Sequence, residues 1–156
     1  HGLRNHYDRF YRQPAIVISD FNRSQDSLQY TNRIARMPGR NAWRISDINY
    51  TDLRSSRVAV DSLHAAGYDV MGWDVEWTFN HRSFSPNISA DGLLDTIDRL
   101  FKENKTKTPG HLVLLSHDQA FTKAADVEQL RYFFRKLKEN PDYLLQFASQ
   151  YPGLHK

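Results

Sequence analysis

The sequence predicts an α/β protein with parallel strands, arranged either as a barrel or as an open sheet. Short apolar runs alternate along the chain with segments of helical periodicity, which is the pattern of parallel α/β folds. The chain has 156 residues, of which 40% are hydrophobic. That length and apolar content suit one domain with its own core, so we expect residues 1–156 to form a single domain.

The first third of the chain combines loops with two predicted elements. Residues 1–14 are polar and aromatic and end in a proline, which predicts a loop. Residues 15–30 begin with β-branched side chains that would suit a strand, but their apolar positions recur on one helical face, which favours a helix. Residues 34–37 are predicted as a short strand stopped by a Pro-Gly pair, and residues 40–54 as irregular.

A helix, a strand and a loop are predicted in the middle of the chain. Ser55 or Ser56 can cap a helix that Gly67 then ends. The apolar residues 68–75 follow as a buried strand. Residues 77–88, rich in Asn, Ser, Phe and Pro, are typical of a loop.

Two amphipathic helices flank a strand in the last part of the chain. Residues 89–101 predict a serine-capped helix, and residues 108–110 a turn. The apolar run 111–116 is typical of a strand buried on both faces. Residues 123–138 predict a long helix broken by Asn-Pro, and residues 143–151 a last strand.

Composition narrows the classes of partner. The net charge is +3, but lysines and arginines are scattered without a run of five or more, which argues against a nucleic-acid partner. Cysteine is absent, which excludes disulfides and thiolate metal sites. No stretch reaches the roughly 18 apolar residues of a membrane span. The chain starts with His-Gly and not with Met, so we expect this start to lie inside a longer protein.

Chemically active residues follow three of the predicted strands. Arg36 lies at the end of the first, the run 73–77 (Trp-Asp-Val-Glu-Trp) spans the end of the second, and His117 directly follows the third. Since the carboxyl ends of parallel strands meet at one edge, these groups are expected to face one cleft. Singly, each also has a structural interpretation, as a surface cation, as core tryptophans, or as helix caps. Their convergence is what indicates a hydrolase-type site.

Three motifs in this order resemble the last three motifs of the polysaccharide deacetylases of carbohydrate esterase family four. They are Arg36-Met37-Pro38, the run 73–77, and Leu115-Ser116-His117. The resemblance implies a partial, distorted (β/α) barrel of the polysaccharide deacetylase type, with the chain as a fragment of a catalytic-type domain. It also implies hydrolysis of acetamido groups on an N-acetylated polysaccharide, such as peptidoglycan or a chitin-like polymer, outside the cytoplasm.

The resemblance further implies a zinc ion or another divalent metal. The family's first motif, which supplies the catalytic base and a metal-binding Asp, has no counterpart here. Of the second motif, a His pair that completes the metal site, only the end is present. His1 lies before Arg36 at a spacing that resembles the family's, and would be that ligand. His6 is the rival candidate, although Phe10 stands where its partner belongs. So truncated, the chain would bind zinc poorly and have little activity.

By the same resemblance, His117 would be the general acid that protonates the departing sugar amine. Arg36 would pair with the catalytic Asp, and either Asp74 or Glu76 would orient His117. The metal would activate water and polarise the acetyl carbonyl. The substrate would be bound by Trp77, Leu115, Pro38 and Trp43.

Two other functions fit the same residues. The first is a non-catalytic glycan-binding domain derived from a deacetylase fold, which would hold sugars through its aromatic residues. The second is a deacetylase-like hydrolase that acts on an amide other than a sugar amide. Metal dependence of binding tests the first alternative, and substrate profiling tests the second.

Overall fold

The computed structural model describes residues 7–154, with side chains from residue 9 onward, and the chain divides into two compact units. The first unit is His1–Gly72 with Ala148–Lys156, and the second is Trp73–Phe147. Both combine helices with strands, which confirms the predicted mixture of helix and sheet. The prediction of one domain over residues 1–156 stays a prediction.

Two helices open the described part of the first unit. They are α1, Tyr7–Tyr11, and α2, Pro14–Leu28. The helix predicted over residues 15–30 is therefore confirmed, and the strand alternative for its start is wrong. Pro14 begins α2 because a first-turn residue needs no N–H for the helix ladder. The loop predicted over residues 1–14 is accordingly wrong at α1 and at Pro14.

A third helix packs against α2. A 3₁₀ turn at Arg54–Ser56 leads into α3, Arg57–Ala65, which confirms the predicted helix. The predicted serine cap is wrong, because the Ser56 hydroxyl donates to the carbonyl of Leu53 at 2.7 Å and makes no side-chain cap hydrogen bond. Gly67 follows with φ 88°, a left-handed value that suits glycine. The core of the unit is apolar and includes Tyr11, Val17, Met37, Val60, Leu63 and Val70.

The first unit contains a four-stranded mixed sheet. Its strands are β1, Ile34–Ala35; β2, Ala42–Ile45; β3, Ile48–Thr51; and β4, Asp69–Val70, in the spatial order β1-β4-β2-β3. β1 pairs with β4 in parallel, whereas β2 is antiparallel to both of its neighbours. β1 confirms the short strand predicted over residues 34–37.

The β2–β3 hairpin corrects the prediction that residues 40–54 are irregular. Ile45 pairs with Ile48, which leaves a two-residue loop between the strands. The first loop residue, Ser46, has φ 51°. Positive φ in a two-residue loop gives the turn the twist of the flanking strands, so a hairpin forms here without the usual Asn-Gly signal.

The second unit is built on a pair of parallel strands and two helices. β5, Val75–Trp77, pairs with β6, Leu114–Ser116. Between them lies α4, Ala90–Lys102. After β6 a 3₁₀ turn at Asp118–Phe121 leads into α5, Ala124–Glu139. Buried residues of these elements form the core of the unit, namely Trp77, Ala90, Leu93, Ile97, Phe133 and Leu137.

Most predictions for this half of the chain are confirmed. The Oγ of Ser89 accepts a hydrogen bond from the Gly92 N–H at 3.2 Å, which is the predicted serine cap of α4. The helix predicted over residues 123–138 is α5. The strand predicted over residues 143–151 is wrong, because these residues are irregular up to a 3₁₀ turn at Ala148–Gln150. β6 is only half-buried, so the prediction that it is buried on both faces is wrong.

The single strand predicted over residues 68–75 is also wrong. It forms β4 and β5, which belong to different sheets and different units. Gly72 lies between them, and a Cβ on it would come within 2.1 Å of Asn41 Oδ1. Only glycine tolerates that close approach. Within residues 7–154 the strands form two separate sheets and close no barrel.

Candidate functional site

A carboxylate and an imidazole meet at the carboxyl ends of β5 and β6. Glu76 is the middle residue of β5, and His117 directly follows β6. His117 Nε2 lies 3.4 Å from Glu76 Oε1, and the two side chains are 39% and 31% exposed. The pair is therefore within ion-pair distance when the imidazole is protonated, and both members remain accessible to solvent.

Strand alternation explains why these two side chains share a face. Glu76 pairs with Leu115 across the ladder, and His117 lies two residues further along. Side chains two residues apart in a strand point to the same face, so Glu76, Leu115 and His117 face the same way. Leu115 is half-buried, and its role in binding a substrate stays a prediction.

Trp77 lies on the opposite face of β5, and its interpretation as a pocket wall needs correction. Its ring is buried against Phe121 and Phe133, with ring centroids 5.2 Å away in each case. Its Nε1–H donates to the carbonyl of Ile88 at 3.0 Å. Trp77 is thus a core residue with a satisfied donor, and it offers no ring face to a ligand.

Asp74 has a structural role near the other end of β5. Its two carboxylate oxygens accept hydrogen bonds from the backbone N–H groups of Lys107 and Val113, each at 2.7 Å. Burial raises the pKa of Asp74 above its ordinary value, and the two N–H donors oppose that rise. Of the two carboxylates that the sequence left open, Glu76 is the one that lies beside His117.

The other predicted site residues belong to the first unit. Arg36 follows β1 and is exposed. Pro38 is half-buried, and its carbonyl accepts a hydrogen bond from the Tyr11 hydroxyl. Trp43 is fully buried in β2, where its Nε1–H donates to Asn41 Oδ1 at 3.1 Å. Trp43 therefore cannot line a substrate pocket in this conformation, which corrects its prediction.

An aromatic cluster beside His117 was missed by the sequence reasoning. The Phe79 ring lies 5.7 Å from the His117 ring, 4.7 Å from His81 and 6.3 Å from Phe84, measured between centroids. Phe79 itself is nearly buried, whereas His81 and Phe84 are exposed. The sequence does contain a signal for this cluster. Three aromatic or imidazole side chains, Phe79, His81 and Phe84, fall within six residues of the loop that follows Glu76-Trp77.

The residues that the structure describes do not form a metal site. Within residues 7–154 no three His, Asp or Glu side chains come together in a way that could hold a metal ion. His1 and His6, the predicted ligands, lie outside the described residues. A zinc site therefore has no support from the described donors. In the same range, no helix is both long and apolar enough to cross a membrane.

No family model matches the chain, and no curated protein matches it significantly.

Proposed function

We propose that the protein hydrolyses acetamido groups on an N-acetylated polysaccharide, such as peptidoglycan or a chitin-like polymer, with His117 as the general acid. The observation that supports the proposal most is the Glu76–His117 pair at the carboxyl ends of two parallel strands. Loops after such strand ends are where parallel α/β proteins carry their catalytic groups. Both side chains are half-exposed, so a substrate can reach them.

The proton for the leaving amine is the step assigned to His117. When water adds to the acetyl carbonyl carbon and the C–N bond breaks, the sugar nitrogen must take up a proton to leave as an amine. With Nε2 turned toward Glu76, Nδ1 points away from the carboxylate and is the nitrogen that donates. The step starts from an imidazole that carries a proton on both nitrogens, and it leaves a neutral imidazole whose Nε2–H stays directed at Glu76. Glu76 acts as a positioning residue because it holds the ring orientation.

The finer parts of the proposal rest on the family resemblance. They are a partial, distorted barrel of the polysaccharide deacetylase type, a location outside the cytoplasm, and Arg36 as the partner of an aspartate base. A divalent metal such as zinc, held through His1 or His6, would supply an activated water. No step is assigned to the metal, since the described residues contribute no ligand group to it.

Replacement of His117 by alanine in the intact protein tests the proposal. Acetate release from an N-acetylglucosamine oligomer, measured with added zinc, should fall on the order of 10²–10⁴-fold, the usual contribution of a general acid. His111→Ala is the matched control, because this imidazole belongs to the same unit but contacts the carbonyl of Pro109. The control should leave the rate nearly unchanged.

Three results would contradict the proposal in different ways. Full activity of His117→Ala would remove the general-acid role. Zinc-independent binding of the oligomer without acetate release would favour the glycan-binding alternative. Release of acetate from simple acetamides but not from the oligomer would favour a hydrolase of non-sugar amides.

A further inference from the structure

The loop that follows β5 carries an aromatic surface next to His117. We name residues 79–86 the aromatic loop. Its first residue, Phe79, is nearly buried beneath three rings, those of His81, Phe84 and His117. The Phe84 ring stacks on Phe79 with an interplanar angle of 24°. A single buried ring thus connects the exposed Phe84 to the proposed general acid.

Hydrogen bonds hold the aromatic loop in one conformation. Phe79 and Pro86 form an antiparallel bridge at its base. Asn80 Oδ1 accepts from the N–H groups of Arg82 and Ser83 at 2.8 and 3.0 Å, and the carbonyl of Asn80 accepts from the Phe84 N–H at 2.7 Å. The tip of the loop is therefore closed by the side chain and the backbone of Asn80.

Two residues near the start of α5 tie the loop to the body of the unit. Lys123 Nζ donates to the carbonyl of Ser83 at 2.6 Å and to Ser85 Oγ at 3.0 Å. The Ser85 hydroxyl in turn donates to Asp126 Oδ2 at 2.8 Å. A loop fixed at its base, tip and side loses little conformational entropy when a ligand binds to it.

Phe84 has an unusual backbone for an exposed aromatic residue. Its φ is 54°, in the left-handed region that phenylalanine rarely adopts, and 44% of the residue is exposed. Strained backbone of this kind persists where the surroundings hold it and is concentrated at ligand-binding sites. The strain and the solvent exposure together point to a ring presented for contact.

From these observations we infer that the aromatic loop binds a pyranose ring of the glycan, with the Phe84 ring stacked on its C–H face. The inference rests on the proposed function for the class of ligand, since a polymer cleaved at His117 extends beyond the reacting sugar. A pyranose has a flat face of C–H groups that suits an aromatic ring. Phe84 lies one ring away from His117, so the bound sugar is a neighbour of the sugar that reacts.

Ligand titration of the 156-residue chain tests this inference without any need for turnover. The probe is the tetramer of N-acetylglucosamine, followed through the imidazole NMR signals of His81 and His117. Phe84→Ala should weaken binding roughly 3- to 10-fold, the range expected for a lost aromatic contact. Phe84→Trp should keep the affinity of the original chain. Phe134→Ala is the matched control, because Phe134 is 43% exposed on α5.

A second variant separates the ring from the loop conformation. Phe84→Gly removes the ring and relieves the positive φ, so it should fold at least as well and bind as weakly as Phe84→Ala. Unchanged affinity in Phe84→Gly, or no binding of the tetramer to the original chain, would overturn the inference. If instead Phe84→Gly binds weakly while His117→Ala retains full activity, the sugar site stands and the proposed catalysis fails.

Discussion

Each of the two units contains a basic side chain that faces a carboxylate, and the surroundings of the two pairs differ. In the first unit Arg44 is 5% exposed and reaches Asp61 Oδ1 through both Nε, at 2.8 Å, and Nη2, at 2.7 Å. In the second unit His117 is 39% exposed and faces one oxygen of Glu76 at 3.4 Å. Arg44 has further acceptors in its own hairpin, the carbonyls of Trp43 and Tyr50 and the hydroxyl of Thr51.

The difference separates a structural pair from one that remains open to solvent. The Arg44 guanidinium donates to acceptors on β2, β3 and α3, so it connects the hairpin to the helix. A fully bonded, buried cation has no capacity left for a ligand. The imidazole of His117 is 39% exposed beside a carboxylate that is 31% exposed, so both groups remain accessible to solvent.

Removal of Arg44 should give the largest loss of stability. Arg44→Ala removes the donor of two hairpin carbonyls, at roughly 1–3 kcal/mol each, and we expect the free energy of unfolding to fall by about 3–5 kcal/mol in urea titrations. Arg57 is the matched control, because its Nε lies 3.8 Å from Asp61 Oδ2 and its side chain is 62% exposed. Arg57→Ala should cost less than about 1 kcal/mol. Equal losses in the two variants would show that burial does not distinguish these pairs.

Asp74, which directly precedes β5, and Glu76, which lies in β5, show the same contrast between a structural and a solvent-accessible side chain. Asp74→Ala leaves the N–H groups of Lys107 and Val113 without acceptors, and should lower the free energy of unfolding by about 1–3 kcal/mol. Glu76→Ala removes only a half-exposed partner of His117, and should change the free energy of unfolding by less than roughly 0.5 kcal/mol. Urea unfolding of both variants at pH 7 measures the difference. A larger loss for Glu76→Ala would assign Glu76 to the structure and weaken its positioning role.

Part of the candidate site was predictable from periodicity alone. The run Trp73-Asp-Val-Glu-Trp77 alternates apolar and acidic residues, so a strand here must put Glu76 and Trp77 on opposite faces. The resemblance assigned both to one pocket, and alternation would have excluded one of them. The choice between Asp74 and Glu76 was not predictable, because it depends on a turn more than thirty residues away that supplies two N–H donors.

Predictions of the fold succeeded where local signals decide the structure. The helices α3, α4 and α5 have amphipathic faces bounded by turn-forming residues, Ser89 caps α4, and each helix was predicted to within a few residues. The β2–β3 hairpin was missed because its loop contains Ser46 at positive φ, a conformation for which serine gives no sequence signal. The prediction of one strand over residues 68–75 was wrong because the apolar run is continuous in sequence, although its two halves belong to different sheets.

A third polar pair extends the comparison to a neutral donor, the Tyr143 hydroxyl, which donates to Asp98 in the second unit. Burial, and then this hydrogen bond, raise the pKa of Tyr143 above its ordinary value of 10.0. The folded chain therefore keeps the phenol proton at a pH where the unfolded chain releases it. The stability that Tyr143 contributes is complete below about pH 10 and is lost as the pH rises further toward the folded pKa.

Tyr143→Phe should lower the free energy of unfolding by less than about 1 kcal/mol at pH 7, and it should flatten the decline of that free energy at alkaline pH, measured in urea titrations. If the variant declines as steeply as the original chain between about pH 9 and 11, other groups cause the alkaline loss and the Tyr143–Asp98 bond contributes little.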